Sequence, residues 1–430
     1  MGTAKLLAAF SVLAAATPFL SAAPADAAIH TSAVSQAWVE PASGYGFIDT
    51  AIERAHSSID LSMYELSDPT IEQDLVDRAK AGVDVRVILN SAYDGASENA
   101  SAEATLRAGS VHVVWAPANQ IFHAKYLVID NATAYIGTGN FVPADYASTR
   151  DFWVSDTRST DVSAIVATFD SDFAGHSVTH QAGGLVWSPG STGALITLID
   201  SARHSVLVEN EEMDSSPIES ALMSAAHRGV DVEVTMTEDS EWTSALDRLV
   251  VSGVHVRLLS ESQIYIHAKV ICADCVGDAG TVFLGSENFS TSSLTYNREL
   301  GVITTAGAAV GAVRRTFDAD FSEGAPLHAP SSAPVTSSGG VTITSIASSL
   351  SPGSYETLSA HASRAHETCT LSVVLPSGYA SEANGLGTAT TNAAGNVTWN
   401  WRIGTSTDPG TAHATVACAT GTTERNFTIT

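Results

Sequence analysis

The sequence predicts an α/β fold built twice in succession, followed by an all-β tail. Three observations predict it. Strand-like and helix-like stretches alternate up to about residue 325, the same succession occurs in both halves, and beyond residue 340 only short strand-like runs remain.

The 430-residue chain opens with Lys5, an apolar run over residues 6–16 and the small-residue stretch Ala25-Asp26-Ala27. A basic start, a short apolar core and a small-residue cleavage site describe a secretory signal peptide over residues 1–28, and the run is too short to span a bilayer. A secreted, extracellular protein is expected.

Each repeat then starts with a strand, Ser58-Ile59-Asp60-Leu61-Ser62-Met63 leading into Tyr64-Glu65, matched by Ser205-Val206-Leu207-Val208-Glu209-Asn210 leading into Glu211-Glu212. Ile71, Leu75 and Ala79 recur at helical spacing and end on Gly82-Val83-Asp84-Val85. Ile218, Leu222, Ala226 and Gly229-Val230-Asp231-Val232 repeat this at a constant offset. Apolar residues at such spacing, stopped by glycine and followed by a β-branched run, read as helix, C-terminal cap and strand. Gly109 with Val111-His112-Val113, against Gly253 with Val254-His255-Val256, adds a further strand whose histidines are read as sheet residues. The stretches 168–173 and 316–321, each Thr-Phe-Asp-x-Asp-Phe, close the repeats on helices. The boundaries are 29–180 and 181–325.

Between these units lies the stretch that carries chemistry. His123-Ala124-Lys125 is followed by Asp130 and Gly137-Thr138-Gly139-Asn140, and His267-Ala268-Lys269 by Asp274 and Gly285-Ser286-Glu287-Asn288. Strand alternation puts histidine and lysine on one face, where one ligand meets both. Glycine in the turn lets backbone approach that ligand, and asparagine adds an amide donor. Imidazole, ammonium and amide together suit a phosphodiester. Lys125, Lys269, Asn140 and Asn288 neutralise non-bridging oxygens while imidazole attacks phosphorus or protonates a leaving group. A lone His-x-Lys carries little information; duplication of the whole pattern marks it as functional.

On these residues the chain resembles the phospholipase D superfamily, whose signature is His-x-Lys, four residues, Asp, and a Gly-Ser/Gly-x-Asn turn. The resemblance covers residues 44–321. Thr138 stands where Ser or Gly is usual, and the gap from Asp274 to Gly285 is longer than that from Asp130 to Gly137. The resemblance implies two pseudo-twofold-related phospholipase D-like α/β/α repeats around one active site that needs no metal or other cofactor. It makes His123 the nucleophile and His267 the general acid, with Asp130 and Asp274 completing the motifs. It also implies an acidic partner for each motif histidine, placed on Asp151 after Arg150 and on Glu299 after Arg298. Similar separations assign Asp151 to His123 and Glu299 to His267, each within its own repeat. The implied activity is a secreted phospholipase D acting through a phosphohistidine intermediate. The alternative is a secreted metal-independent nuclease of the same superfamily, with a non-catalytic binding or adhesion protein as the third reading.

A formal net charge of −26 disfavours stable nucleic-acid binding, which draws on summed positive charge. The expected partner is a phospholipid met by peripheral contact with a membrane surface, and the expected state is a monomer. Tyr64-Glu65 and Glu211-Glu212 are read either as solvated strand ends or as the asymmetry that tells one side of a substrate from the other.

Pro326, Pro330, Pro334 and a Ser/Gly-rich run mark a linker over residues 326–340. Five short strand-like runs between 341 and 429 predict an all-β immunoglobulin-like sandwich over 341–430. Trp399 and Trp401 share a strand face, facing either a ligand or the core, with at least one ring assigned to the core. In an exported chain the four cysteines are expected as disulfides, Cys369 with Cys418 and Cys272 with Cys275.

Overall fold

The computed structural model describes residues 34–328, 340–376, 380, 381, 383–405, 407 and 409–430. The expected signal peptide and residues 329–339 of the expected linker lie outside the described residues.

In the first repeat, β1 (Val34–Glu40), β2 (Ser58–Met63), β3 (Asp84–Leu89), β4 (His112–Trp115), β5 (Tyr126–Ile129), β6 (Thr133–Gly137) and β7 (Thr149–Asp156) form a sheet ordered β1-β7-β6-β5-β2-β3-β4. The second repeat contains β8 (Leu185–Ser188), β9 (Ser205–Asn210), β10 (Met213–Asp214), β11 (Asp231–Thr237), β12 (His255–Leu259) and β13 (Tyr265–Ile266). It continues with β14 (Lys269–Val276), β15 (Ala279–Gly285), β16 (Phe289–Ser290), β17 (Glu299–Thr304) and β18 (Ala325–Pro326). Its main sheet runs β8-β17-β15-β14-β9-β11-β12-β18, the same order with one strand added at the edge. Pro326, expected in the linker, therefore still belongs to this sheet, and Leu327 N–H donates to the Val256 carbonyl.

The helix Pro69–Lys80 shows why these elements form as the sequence predicts. Asp68 caps it by accepting from Thr70 N and Ile71 N, Pro69 occupies the first turn, and Gly82 follows at φ +91°. Ile71, Leu75 and Val76 face inward, and the helix returns the chain to lay β3 parallel to β2. Ser216–His227 does the same between β9 and β11. Strands β2 and β9 are almost wholly buried, as expected of mid-sheet strands covered on both faces.

The repeats are not independent bodies. One hydrophobic cluster joins Phe122, Tyr126 and Phe169 of the first to Trp187, Ile266, Val270 and Phe317 of the second. Two ion pairs cross the same junction: the partly buried Arg150 forks onto Asp320 at 2.6 and 2.8 Å, and the buried Arg298 onto Asp172 at 2.8 and 3.0 Å. Each arginine thus grips the closing helix of the other repeat.

In the tail, Val341–Ser345, Tyr355–Ala362 and Asn396–Arg402 form one sheet. Ser349–Leu350, Thr368–Val374, Gly387–Thr390, Gly410–Cys418 and Gly421–Ile429 form another, and the two share one core. Trp399 and Trp401 are both in that core, and Trp399 Nε1 donates to the Gly387 carbonyl at 2.8 Å. Cys369 and Cys418 are at disulfide distance, but they face each other on neighbouring strands of one sheet. An immunoglobulin-type bridge would join two sheets. Cys272 and Cys275 also stand at disulfide distance, beside a bulge between β14 and β15.

Candidate active site

Both His-x-Lys stretches lie at the entry of a central strand rather than in its middle: His123 precedes β5, and Lys269 opens β14. Because β5 runs antiparallel to β2, and β14 to β9, each entry lies beside the C-terminal end of its repeat's first central strand. Tyr64-Glu65 and Glu211-Glu212 emerge there. The segment before each histidine leaves its own sheet and joins the other repeat. Tyr265 and Ile266 pair in parallel with Thr149 and Arg150 of β7, and Phe122 bridges to Arg298, whose carbonyl accepts from His123 N and Ala124 N.

This exchange overturns the expected within-repeat pairing. His123 Nδ1 donates to Glu299 Oε2 at 2.9 Å and also meets the Ser286 carbonyl at 3.1 Å. His267 Nδ1 donates to Asp151 Oδ1 at 2.9 Å. The reason is geometric: β13 and Phe122 carry each histidine to the opposite repeat's β7 or β17, from which the carboxylates project. With Nδ1 held by a carboxylate, Nε2 is the free nitrogen on each ring.

The carboxylates are held in turn. Thr138 Oγ1 donates to Asp151 Oδ1 at 2.6 Å, while Ser293 Oγ and Asn297 Nδ2 donate to Glu299 Oε1 at 2.6 and 3.1 Å. Burial works against charge on both, but the neighbouring imidazole overcomes it. His267 and Lys269 draw Asp151 down to about 2, and His123 with Lys125 lowers Glu299. The motif glycines serve the protein's own packing: a Cβ on Gly137 would lie 2.2 Å from the Trp153 ring, and one on Gly139 2.7 Å from the Asp151 carboxyl carbon.

Lys125 and Lys269 are fully buried, and each donates to its own motif's histidine carbonyl. Burial and then the charge of Lys269 bring the Lys125 pKa down to about 7. Burial, followed by Lys125, lowers His123 to about 4, so this imidazole is neutral at physiological pH. Lys125 lies 4.8 Å from the centre of the Tyr64 ring, whereas Lys269 contacts Glu211 at 2.9 Å. Asn140 Nδ2 reaches Glu65 only at 3.5 Å; Asn288 Nδ2 donates to Glu211 at 3.1 Å. The histidines and lysines of the two motifs therefore lie close enough to act on one another's charge, and each asparagine contacts the acidic residue just beyond its repeat's first central strand.

Asp130 and Asp274 do not join them. Asp130 accepts from the backbone N–H groups of His56, Ser57 and Ser58, and Asp274 accepts from those of Arg203, His204 and Ser205. Asp130 directly follows β5 and Asp274 lies at the bulge near the end of β14, at φ +53° and +51°, each fastening the loop that enters β2 or β9. Their assignment as catalytic residues is corrected accordingly: one strand length separates them from the histidines.

Sequence reasoning did not find Thr138, Ser293 and Asn297 as supports, nor Tyr265, whose hydroxyl donates to Glu211 Oε1 at 2.8 Å. Tyr64 and Glu211 were visible as a mismatch at equivalent positions, and the structure puts both at the site.

A family profile described as the cardiolipin synthase, PLD-like domain, matches the chain twice, over residues 48–174 and 195–321, the stretches that hold most strands of the two sheets. No curated protein sequence matches the chain. Among solved structures, polyphosphate kinase from Porphyromonas gingivalis is similar over 68% of this chain and 49% of its own, with 16% identity and a TM-score of 0.55. The chain thus spans about half the length of that kinase. Phosphatidylserine synthase from Haemophilus influenzae is similar over 70% of this chain and 90% of its own, with 11% identity and a TM-score of 0.55. Nuc from Salmonella typhimurium, a phospholipase D family member, matches over 34% of this chain and 96% of its own, with 27% identity and a TM-score of 0.31. The first two likenesses are likenesses of fold.

Proposed function

This chain belongs to the cardiolipin synthase PLD-like domain family, and from that premise we propose that it is an exported phosphodiesterase, a phospholipase D that cleaves phospholipid headgroups. The observation that carries the reading is the exchange of carboxylates between repeats, which leaves two imidazole Nε2 atoms and two buried lysines at one site.

In this reading His123 Nε2 attacks phosphorus and the bond from phosphorus to the headgroup oxygen breaks. His267 gives that oxygen its proton. His267 then takes a proton from water, the water oxygen bonds to phosphorus, and the phosphorus–nitrogen bond breaks. Lys125, Lys269, Asn140 and Asn288 hold the non-bridging oxygens and stabilise the charge that gathers there. A neutral His123 is the form that attacks, and its lowered pKa supports that role. The strong net negative charge favours a lipid headgroup over a polyanion. The tail is assigned as an accessory β-sandwich. The core shared by its two sheets supports an immunoglobulin-like assignment, while its within-sheet cysteine pair does not follow that pattern.

The test is incubation with phosphatidylcholine vesicles in chelator and ethanol. Release of phosphatidate and phosphatidylethanol is expected. Loss of plasmid DNA without lipid turnover would favour the nuclease instead, and turnover of neither would leave a binding protein.

A further inference from the structure

Tyr64 and Glu211 occupy equivalent positions, each the residue that follows its repeat's first central strand. In both halves the histidine Nδ1 meets a carboxylate of the other repeat, but at this pair of positions the chemistry differs. The Tyr64 ring stands edge-on to His123, with centroids 4.7 Å apart. Glu211 Oε2 lies 3.7 Å from His267 Nε2 and 2.9 Å from Lys269 Nζ, and it accepts from Asn288 at 3.1 Å. His267 thus has a carboxylate near each ring nitrogen, Asp151 at Nδ1 and Glu211 at Nε2. Among the described residues, His123 has a carboxylate within ion-pair distance only at Nδ1.

We propose that Glu211 makes the two halves unequal: its carboxylate at the reacting nitrogen of His267 supports the proton that the leaving alcohol takes, and reserves attack for His123 beside the uncharged Tyr64 ring. This inference rests on the phosphodiesterase reading above. Glu211 is a positioning residue, acting through His267. In the step it serves, the His123 Nε2–phosphorus bond forms, the phosphorus–oxygen bond to the alcohol breaks, and the His267 Nε2 proton passes to that oxygen. An alkoxide leaves poorly without such a proton, whereas a nitrophenolate leaves readily without one.

The charges around His267 support the arrangement. Asp151 faces it from β7, Glu211 from beyond β9, Lys269 from β14 and Glu65 from beyond β2, and the Tyr265 ring of β13 lies beside its ring, centroids 6.3 Å apart and inclined by 29°. Burial opposes the charge on Glu211, but Lys269 and then His267 hold its carboxyl well below the usual range, so it is an anion throughout the working pH.

The test compares Glu211→Gln with wild type on two lipid esters in identical vesicles, phosphatidylethanol and phosphatidyl-p-nitrophenol. For the variant, kcat/KM should fall at least about tenfold more on the ethyl ester, within the 10²–10⁴-fold range of general acid catalysis. The high-pH limb of its kcat profile on the ethyl ester, with vesicles saturating, should move to lower pH, because the leaving alcohol then loses its proton donor sooner. Glu211→Asp should restore part of the ethyl-ester rate, and it carries the same comparison if the glutamine variant does not fold. Equal losses on both esters, or an unmoved high-pH limb, would overturn the inference and leave the phosphodiesterase reading standing. A wild type inactive on both esters would overturn that reading and the inference with it.

Discussion

Glu299 accepts the Nδ1 hydrogen of His123 at 2.9 Å, although the two residues belong to different repeats. The reciprocal bond joins His267 to Asp151. A single repeat therefore supplies the histidine of one pair and the carboxylate of the other, and only the assembled chain orients both imidazoles. In Glu299→Gln the amide cannot support, as the carboxylate does, the positive charge the ring gains when Nε2 bonds phosphorus. Turnover should drop by roughly 10²–10⁴-fold, with melting nearly unchanged because Ser293 and Asn297 still bond the side chain. Steady-state kinetics beside a melting curve check this; unchanged turnover would remove Glu299 from the site.

The pH profile should show the depressed pKa values of the first motif. His123 attacks only when neutral, so activity is lost as pH falls through about 4 rather than through the ordinary histidine value. Lys125 loses its charge as pH rises through about 7 in the free protein, so phosphoryl affinity should weaken and KM rise above that point. An acid limb near 6.5, where an unperturbed histidine titrates, would contradict this.

Asp130 should matter for stability and not for chemistry. Although burial opposes it, bonds from three backbone N–H groups bring its carboxyl down to about 2. A depressed carboxylate stabilises the fold above its unfolded pKa of about 3.9, and that stability is lost as pH falls through the folded value. Discounted for solvent screening, Asp130→Asn should cost on the order of 1 kcal/mol, with kcat retained. Urea denaturation measures the cost, and a kcat loss in folded protein would return Asp130 to the site.

The crossed ion pairs should be costly to break. Arg298 is 3% exposed and Asp172 6%, so Asp172→Asn leaves a guanidinium buried without its charge partner, at roughly 3–5 kcal/mol. Activity should fall with it, because the Arg298 carbonyl positions the backbone of His123. Denaturant midpoints and turnover on one preparation check both; an unchanged midpoint would show that this pair does not hold the repeats together.

The fold of each repeat was legible because its signals are local. Ile71, Leu75 and Ala79 recur at helical spacing and stop at Gly82, the second repeat reproduces the pattern, and both stretches are helices. The motif histidines and lysines were legible for the same reason. What could not be read was which repeat each carboxylate serves, because sequence separation says nothing about a strand that crosses into the neighbouring sheet, as Tyr265–Ile266 does. Asp130 was misread because its spacing belongs to the motif, whereas its function is to fasten the loop at 56–58, distant in sequence. The tail's cysteine pair was found, but not that it lies within one sheet.

The central claim is that both repeats act on one phosphoryl group, with His123 making the bond. The most direct measurement is peptide mapping of protein quenched during phosphatidylcholine turnover, in wild type, His123→Ala and His267→Ala. A phosphatidyl adduct is expected on the peptide carrying His123 in wild type, and on no peptide of His123→Ala. An adduct on His267, or full turnover by either alanine variant, would contradict it.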